Sequence, residues 1–168
     1  MITTRTFIVH VQDKPGALSR VISLIRRRNY NIDSLTVGRT ERPEISRITL
    51  VLSAEDDVAR QLEANLYKLI NVLDVQDVAP ASAVMRELLL IKLDDGRRAE
   101  LLQLCEVFRA RVVDVTPGAV TLEATGVPEK IDGLIAVLRQ FGILEMVRTG
   151  CVAMTRRGLG LVGDPLAA

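Results

Sequence analysis

The chain has 168 residues, 48% of them hydrophobic, which is enough apolar material for one medium domain or two small ones with real cores. A formal net charge of +1 and the absence of Trp leave neither a field to gather nucleic acid or anionic lipid nor platforms on which bases could stack. One histidine and two cysteines, Cys105 and Cys151, suit neither a disulfide framework nor a multi-histidine zinc site, and both thiols are expected in the core.

From Thr6 to Val11 the residues Phe7, Val9 and Val11 alternate with their neighbours, which predicts a strand with one buried face. The turn-forming cluster Gln12-Asp13-Lys14-Pro15-Gly16 follows. Ala17, Leu18, Val21, Ile22 and Ile25 then recur at helical spacing, and Arg26, Arg27 and Arg28 complement the dipole at the helix end. Asn29-Tyr30-Asn31 breaks that pattern. Ile32, Leu35 and Val37, a turn near Arg42-Pro43-Glu44, and Ile48, Leu50 and Leu52 predict an antiparallel hairpin. A second helix carries the stripe Val58, Leu62, Leu66 and Leu69 behind the acidic trio Glu55, Asp56 and Asp57, and Leu73 and Val75 lie in a closing strand. The order is β-α-β-β-α-β, a ferredoxin-like domain over residues 1–79.

Beyond Ala79-Pro80-Ala81-Ser82-Ala83, in a linker placed at 80–85, the order repeats over 86–157. Leu88 to Leu93 is a strand, and Leu101, Leu104, Cys105 and Phe108 form a helical stripe. Val112 to Val115 and Val120 to Ala124 flank the turn Thr116-Pro117-Gly118, and Ile131, Leu134, Ile135 and Leu138 mark a fourth helix opened by Pro128. The last strand runs through Ile143 to Val147 or through Gly150 to Met154. The Gly-rich stretch 158–168 is expected to be a loose tail. The fold class is therefore α+β, two ferredoxin-like domains in series. Apolar runs such as Leu88 to Leu93 stop far short of the roughly 20 residues that cross a bilayer, and Met1-Ile2-Thr3-Thr4-Arg5 has no signal-peptide core. Both predict a cytoplasmic protein without a membrane partner.

The segment Asp13 to Leu18 carries the chemistry, because there a turn feeds directly into a helix start. The first N–H groups of a helix have no partner within it and lie at its positive end, so they can receive a carboxylate, and Gly16 has no side chain to block the approach. Asp13 could accept from an ammonium, so one turn supplies groups for both ends of a free amino acid. The same residues also serve an ordinary β-α loop, in which Asp caps, Pro fixes a dihedral and Gly permits the turn. Asn31 likewise suits either a ligand contact or a strand-entry turn. His10 is expected to pack or hydrogen-bond, Arg26 to Arg28 to form a solvated helix end, and Asp94-Asp95-Gly96 to make a turn.

The runs Asp13-Lys14-Pro15-Gly16-Ala17-Leu18-Ser19-Arg20-Val21, Arg28-Asn29-Tyr30-Asn31-Ile32-Asp33-Ser34-Leu35-Thr36-Val37 and Ser46-Arg47 resemble the ACT domain of acetohydroxyacid synthase (acetolactate synthase) small regulatory subunits. The likeness continues through Lys68-Leu69-Ile70-Asn71-Val72, Arg86-Glu87-Leu88, Asp114-Val115-Thr116-Pro117, Glu123-Ala124-Thr125-Gly126 and Arg148-Thr149-Gly150, to about Arg157. The resemblance implies a non-catalytic subunit of branched-chain amino acid biosynthesis that activates and feedback-inhibits a separate catalytic large subunit. It implies a homodimer joined through the ACT domain and valine bound at the interface, with leucine and isoleucine as alternatives. Asp13, Lys14, Pro15, Gly16, Ala17 and Leu18 of one protomer would face Asn31 and Ile32 of the other, with backbone N–H groups from Gly16 to Leu18 and an apolar wall from Ile32. Where some members of the family carry Asn, this chain has Asp13. Thiamine diphosphate, magnesium and FAD are expected on the catalytic subunit and no cofactor on this chain. The alternatives are an ACT-type sensor of another enzyme and a ferredoxin-like nucleic-acid module. Near-neutral charge and few aromatics oppose the latter.

Overall fold

A computed structural model describes residues 2–156. The chain forms two compact units, Met1–Val84 together with the segment from Cys151 on, and Met85–Gly150. The tail expected at 158–168 lies outside the described residues.

In the first unit β1 (Thr3–Gln12), α1 (Ala17–Arg27), β2 (Ile32–Arg39), β3 (Ile45–Ala54), α2 (Asp56–Leu66) and β4 (Val72–Val78) follow in sequence. The strands pair antiparallel in the order β2-β3-β1-β4, the ferredoxin-like arrangement. Phe7, Val9 and Val11 of β1 and Ile48, Leu50 and Leu52 of β3 meet Val21 and Ile25 of α1 and Ala59, Leu62 and Leu66 of α2 in one core. Alternation puts these strand residues on one face, and the helical spacing of the others turns their stripes onto it.

The opposite face departs from the expectation of a half-buried sheet: Thr6, Ile8, His10, Thr49 and Val51 are buried as well. Their cover is the returning segment. Cys151 N–H donates to Ser34 Oγ at 2.9 Å, Thr36 Oγ1 donates to the Cys151 carbonyl at 2.8 Å, and the Arg47 guanidinium donates to the Ala153 carbonyl. The Cys151 and Cys105 side chains are both buried, as expected. The expected linker contains a single 3₁₀ turn at Pro80–Ser82.

The second unit repeats the order. It comprises β5 (Ala83–Asp94, whose first two residues belong to the first unit), α3 (Arg98–Phe108), β6 (Arg111–Thr116), β7 (Ala119–Gly126), α4 (Pro128–Leu138) and β8 (Ile143–Arg148). Its strands pair as β6-β7-β5-β8, position for position the order of the first sheet. Leu89, Ile91, Leu93, Leu122 and Ala124 pack on Leu101, Cys105, Ile131, Leu134 and Leu138. Both candidates for the last strand exist: β8 closes the second sheet, while β9 (Val152–Thr155) pairs with β5 and belongs to the first unit. No helix among the described residues is long and apolar enough to cross a membrane.

Candidate effector site

The turn between β1 and α1 is held by two neighbouring segments of chain. Asp13 N–H donates to the Glu44 carbonyl at 2.7 Å, and Gln12 N–H donates to the Asn71 carbonyl at 2.8 Å. The Asn71 side chain, on a buried residue, donates through Nδ2 to Gln12 Oε1 at 3.0 Å and accepts from Arg20. Arg20 lies one turn into α1, so this network ties the helix start to both strand ends.

Gly16 occupies the N-cap position of α1 at φ 84°, a left-handed conformation that glycine adopts without the steric cost other residues carry. No side chain caps the helix and no acidic residue lies in its first turn. Asp13 is therefore not a helix cap. Its carboxylate accepts instead from Ser46 Oγ at 3.2 Å and lies 3.9 Å from Arg39 Nε. A Cβ on Gly16 would meet nothing within 4 Å, so the space over the turn is open.

The amides divide. Ala17 N–H donates to the Lys14 carbonyl at 3.1 Å, so it is used within the turn, and its side chain is buried. Among the described residues the N–H groups of Gly16, Leu18 and Ser19 have no acceptor. This replaces the expected set of Gly16, Ala17 and Leu18 with one that omits Ala17 and gains Ser19. A helix beginning at Ala17 makes Ser19 its third residue, whose amide has no intrahelical partner, so the periodicity already contained that signal. Lys14 and Pro15 are exposed beside the opening. Unpaired N–H groups at the positive end of a helix dipole favour negative charge, and Lys14 adds to this, while Arg39 is offset by Asp13.

Asn31 and Ile32 lie at the other end of the sheet. Arg39 pairs with Ser46, which pairs with Val11 next to the turn, whereas Ile32 pairs with Leu52, which pairs with Arg5. The seven steps from Ile32 to Arg39 span roughly 23 Å of strand, so one protomer does not bring the two groups together. Asn31 is exposed and donates through Nδ2 to Asp33 Oδ1 at 3.0 Å, while Ile32 is half-buried against the core. Among the described residues, β2 pairs only with β3 and leaves its outer edge open.

Comparison with known proteins covers both units. A family model described as "AHAS small subunit-like ACT domain" matches residues 7–74, and one described as "Small subunit of acetolactate synthase" matches residues 86–157. The chain is 46% identical over 149 residues to a probable acetolactate synthase small subunit of Methanothermobacter thermautotrophicus, covering 87% of this chain and 89% of that protein. It is 45% identical over 161 residues to the acetolactate synthase small subunit of Mycolicibacterium smegmatis, covering 94% and 95%. The crystal structure of the acetolactate synthase small subunit from Thermotoga maritima superposes with a TM-score of 0.86 at 36% identity, over 94% of this chain and 99% of that one.

Proposed function

The chain belongs to the family of acetolactate synthase small subunits, and from that premise we propose that it is a valine sensor: a homodimer that binds the amino acid between its ACT domains and adjusts the activity of a separate catalytic subunit. A regulatory role in branched-chain amino acid synthesis follows from the family. Thiamine diphosphate, magnesium and FAD belong to the catalytic chain in this scheme, which condenses pyruvate with pyruvate or 2-oxobutyrate.

The observation that carries the proposal is the unpaired amide set at Gly16, Leu18 and Ser19 beneath open space. A carboxylate seated there gains charge-assisted hydrogen bonds from donors that otherwise face water. In this reading a second protomer supplies the other half of the pocket. If two β2 edges pair antiparallel about a two-fold axis, the Ile32 end of each strand lies beside the Arg39 end of the other. Asn31 and Ile32 of one protomer then approach the Asp13 to Leu18 turn of its partner. Asp13, steadied by Ser46, accepts from the ligand ammonium together with Asn31, and Ile32 covers the aliphatic side chain. Burying that side chain contributes about 25 cal/mol per Å². Leucine and isoleucine differ from valine by one methylene, which limits discrimination to about 1 to 3 kcal/mol. Regulation then requires the ligand to prefer one arrangement of the dimer, and the catalytic subunit to respond to that preference.

The test is Gly16→Asp. A carboxylate on this position occupies the space meant for the ligand's own, so valine binding in calorimetry and the valine response of acetolactate production with the catalytic subunit should both fall by at least about 30-fold, roughly 2 kcal/mol. Gly16→Ala separates charge from backbone strain: it costs about 1 kcal/mol of stability but leaves the amides free, and its valine affinity should stay within a few fold. A folded Gly16→Asp protein that binds valine like the wild type removes the site.

A further inference from the structure

Positive charge gathers at one end of the second unit. Arg86 of β5, Arg109 at the C-terminal end of α3, Arg111 at the start of β6 and Lys130 in the first turn of α4 line an open groove of about 510 Å³, with Glu123 and Val127 also in its wall. Four cations face a single carboxylate, a local excess of +3 in a chain whose total is +1. Glu123 pairs with Arg111. Arg86 and Lys130 have carbonyl rather than carboxylate partners among the described residues: Arg86 donates to the Met85 carbonyl at 2.7 Å and Lys130 Nζ to the Thr125 carbonyl at 3.0 Å.

Two backbone features keep these side chains in place. Arg109 has φ 54°, the left-handed conformation that ends α3, where Gly or Asn is the usual residue. Gly126 has no side chain, and a Cβ there would lie 2.6 Å from Lys130 Cδ, so its absence lets the lysine stem cross the end of β7. Val127 is the only aliphatic residue in the lining and no aromatic ring is present, so nothing there would hold a nucleobase or a hydrocarbon chain. Separated cations in an open groove, three exposed and Lys130 half-buried, suit carboxylates spaced along a polypeptide.

We infer that this groove receives an acidic segment of the catalytic subunit, and that it is a docking surface separate from the effector turn. The inference rests on the family reading, which requires a protein partner without saying where on this chain it binds. Charge complementarity of this kind accelerates encounter and fixes register, and it weakens with salt.

The experiment uses the full-length protein with purified catalytic subunit. Arg86→Glu/Arg109→Glu reverses two charges that form no ion pair among the described residues, and Arg86→Lys/Arg109→Lys preserves them. The reversed variant should bind the catalytic subunit at least about tenfold more weakly at low ionic strength, with a shallower salt dependence. The lysine variant should stay close to wild type, and valine calorimetry should be unchanged in both. Wild-type affinity in the reversed variant overturns the assignment of the groove, as does binding of inorganic pyrophosphate to the groove without any change in catalytic-subunit affinity. If the wild-type chain fails to bind the catalytic subunit at all, the partnership falls and the groove's role with it. Loss of valine binding in Gly16→Asp with normal catalytic-subunit binding would leave the groove standing.

Discussion

The two units share one topology and furnish the same loop with different side chains. After β1, the turn leaves Gly16, Leu18 and Ser19 amides unpaired. After β5 the amides of Arg97 and Ala99 have no acceptor among the described residues either, but the turn carries its own carboxylate: Asp94 Oδ1 accepts from Gly96 N–H at 2.9 Å, and a Cβ on Gly96 would lie 3.0 Å from that oxygen. The residues that follow are also engaged. Asp95 pairs with Arg98, and Arg97 pairs with Glu100 while its guanidinium lies 4.5 Å from the centre of the Phe141 ring. The β-α-β-β-α-β fold provides a helix start after its first strand in both units. The two starts differ in two or three residues of turn, which is why fold alone does not imply function.

The largest effects should come from the two cores, and they test whether the effector site depends on the first unit alone. Leu50 and Leu89 are both fully buried at the centre of their sheets. Truncating either to Ala should cost about 2 to 5 kcal/mol. Leu50→Ala should lower hydrogen-exchange protection in the first unit and weaken valine binding. Leu89→Ala should loosen the second unit and leave valine calorimetry near wild type. If Leu89→Ala weakens valine binding as much as Leu50→Ala does, the division of labour between the units is wrong.

A smaller contrast lies in their ion pairs. In the second unit buried Glu87 accepts from Arg148 Nε and Nη2, both at 2.7 Å, and Arg148 Nη1 reaches Asp132 at 2.7 Å. The hydrogen bonds to Glu87 raise the Arg148 pKa further above its ordinary range. Glu87→Gln leaves a guanidinium without its buried partner and should cost the second unit about 2 to 3 kcal/mol in urea unfolding, toward the low end for broken buried pairs because Arg148 is partly solvated. In the first unit Arg5 bridges Asp77 and exposed Asp56, and Asp56→Asn should cost less than about 1 kcal/mol. Below these comes Asp94→Ala, which strips the carboxylate from the second turn. It should lower stability by about 1 kcal/mol without creating valine binding, since the second unit has no counterpart of Asp13 steadied by Ser46. New valine binding in that variant would mean that the open amides alone make the site.

The order of elements was legible in the sequence because alternation and helical spacing are local signals, and the same topology emerged twice. The open turn was legible too, since Pro15-Gly16 before an apolar helical stripe leaves few backbone solutions. What periodicity could not reveal were features that depend on distant partners. Ile8 reads as the exposed side of β1 until Cys151 to Thr155 returns to cover it. Asp13 reads as a cap until Ser46 and Arg39 claim its carboxylate. Ala17 reads as a ligand donor until the Lys14 carbonyl takes its N–H. Asn71, which fixes the turn from just before β4, is one polar residue in a loop until the fold brings it to Gln12 and Arg20.

The finest distinction between the units is their response to acid. His10, the chain's one histidine, is buried in the first sheet, with Nδ1 3.4 Å from Asp74 Oδ2 and Nε2 3.4 Å from Arg47 Nη1. Burial lowers its pKa below 6.5 and the Arg47 charge lowers it further, outweighing Asp74 and Glu41, which raise it. The unfolded chain therefore takes up a proton near its ordinary pKa that the folded unit resists. Stability is complete above about pH 6.5 and declines as pH falls below it, because the unfolded state then binds more protons. His10→Gln should abolish that decline, a difference of less than about 1 kcal/mol between slightly acid and slightly alkaline solution. Glu63 and Asp77, pushed up by burial, act in the opposite direction at lower pH and are common to both proteins, so they cancel in the subtraction. Read unit by unit through hydrogen exchange, the slope should belong to the first unit alone, and an equal slope in the second, which has no histidine, would exclude His10 as its source.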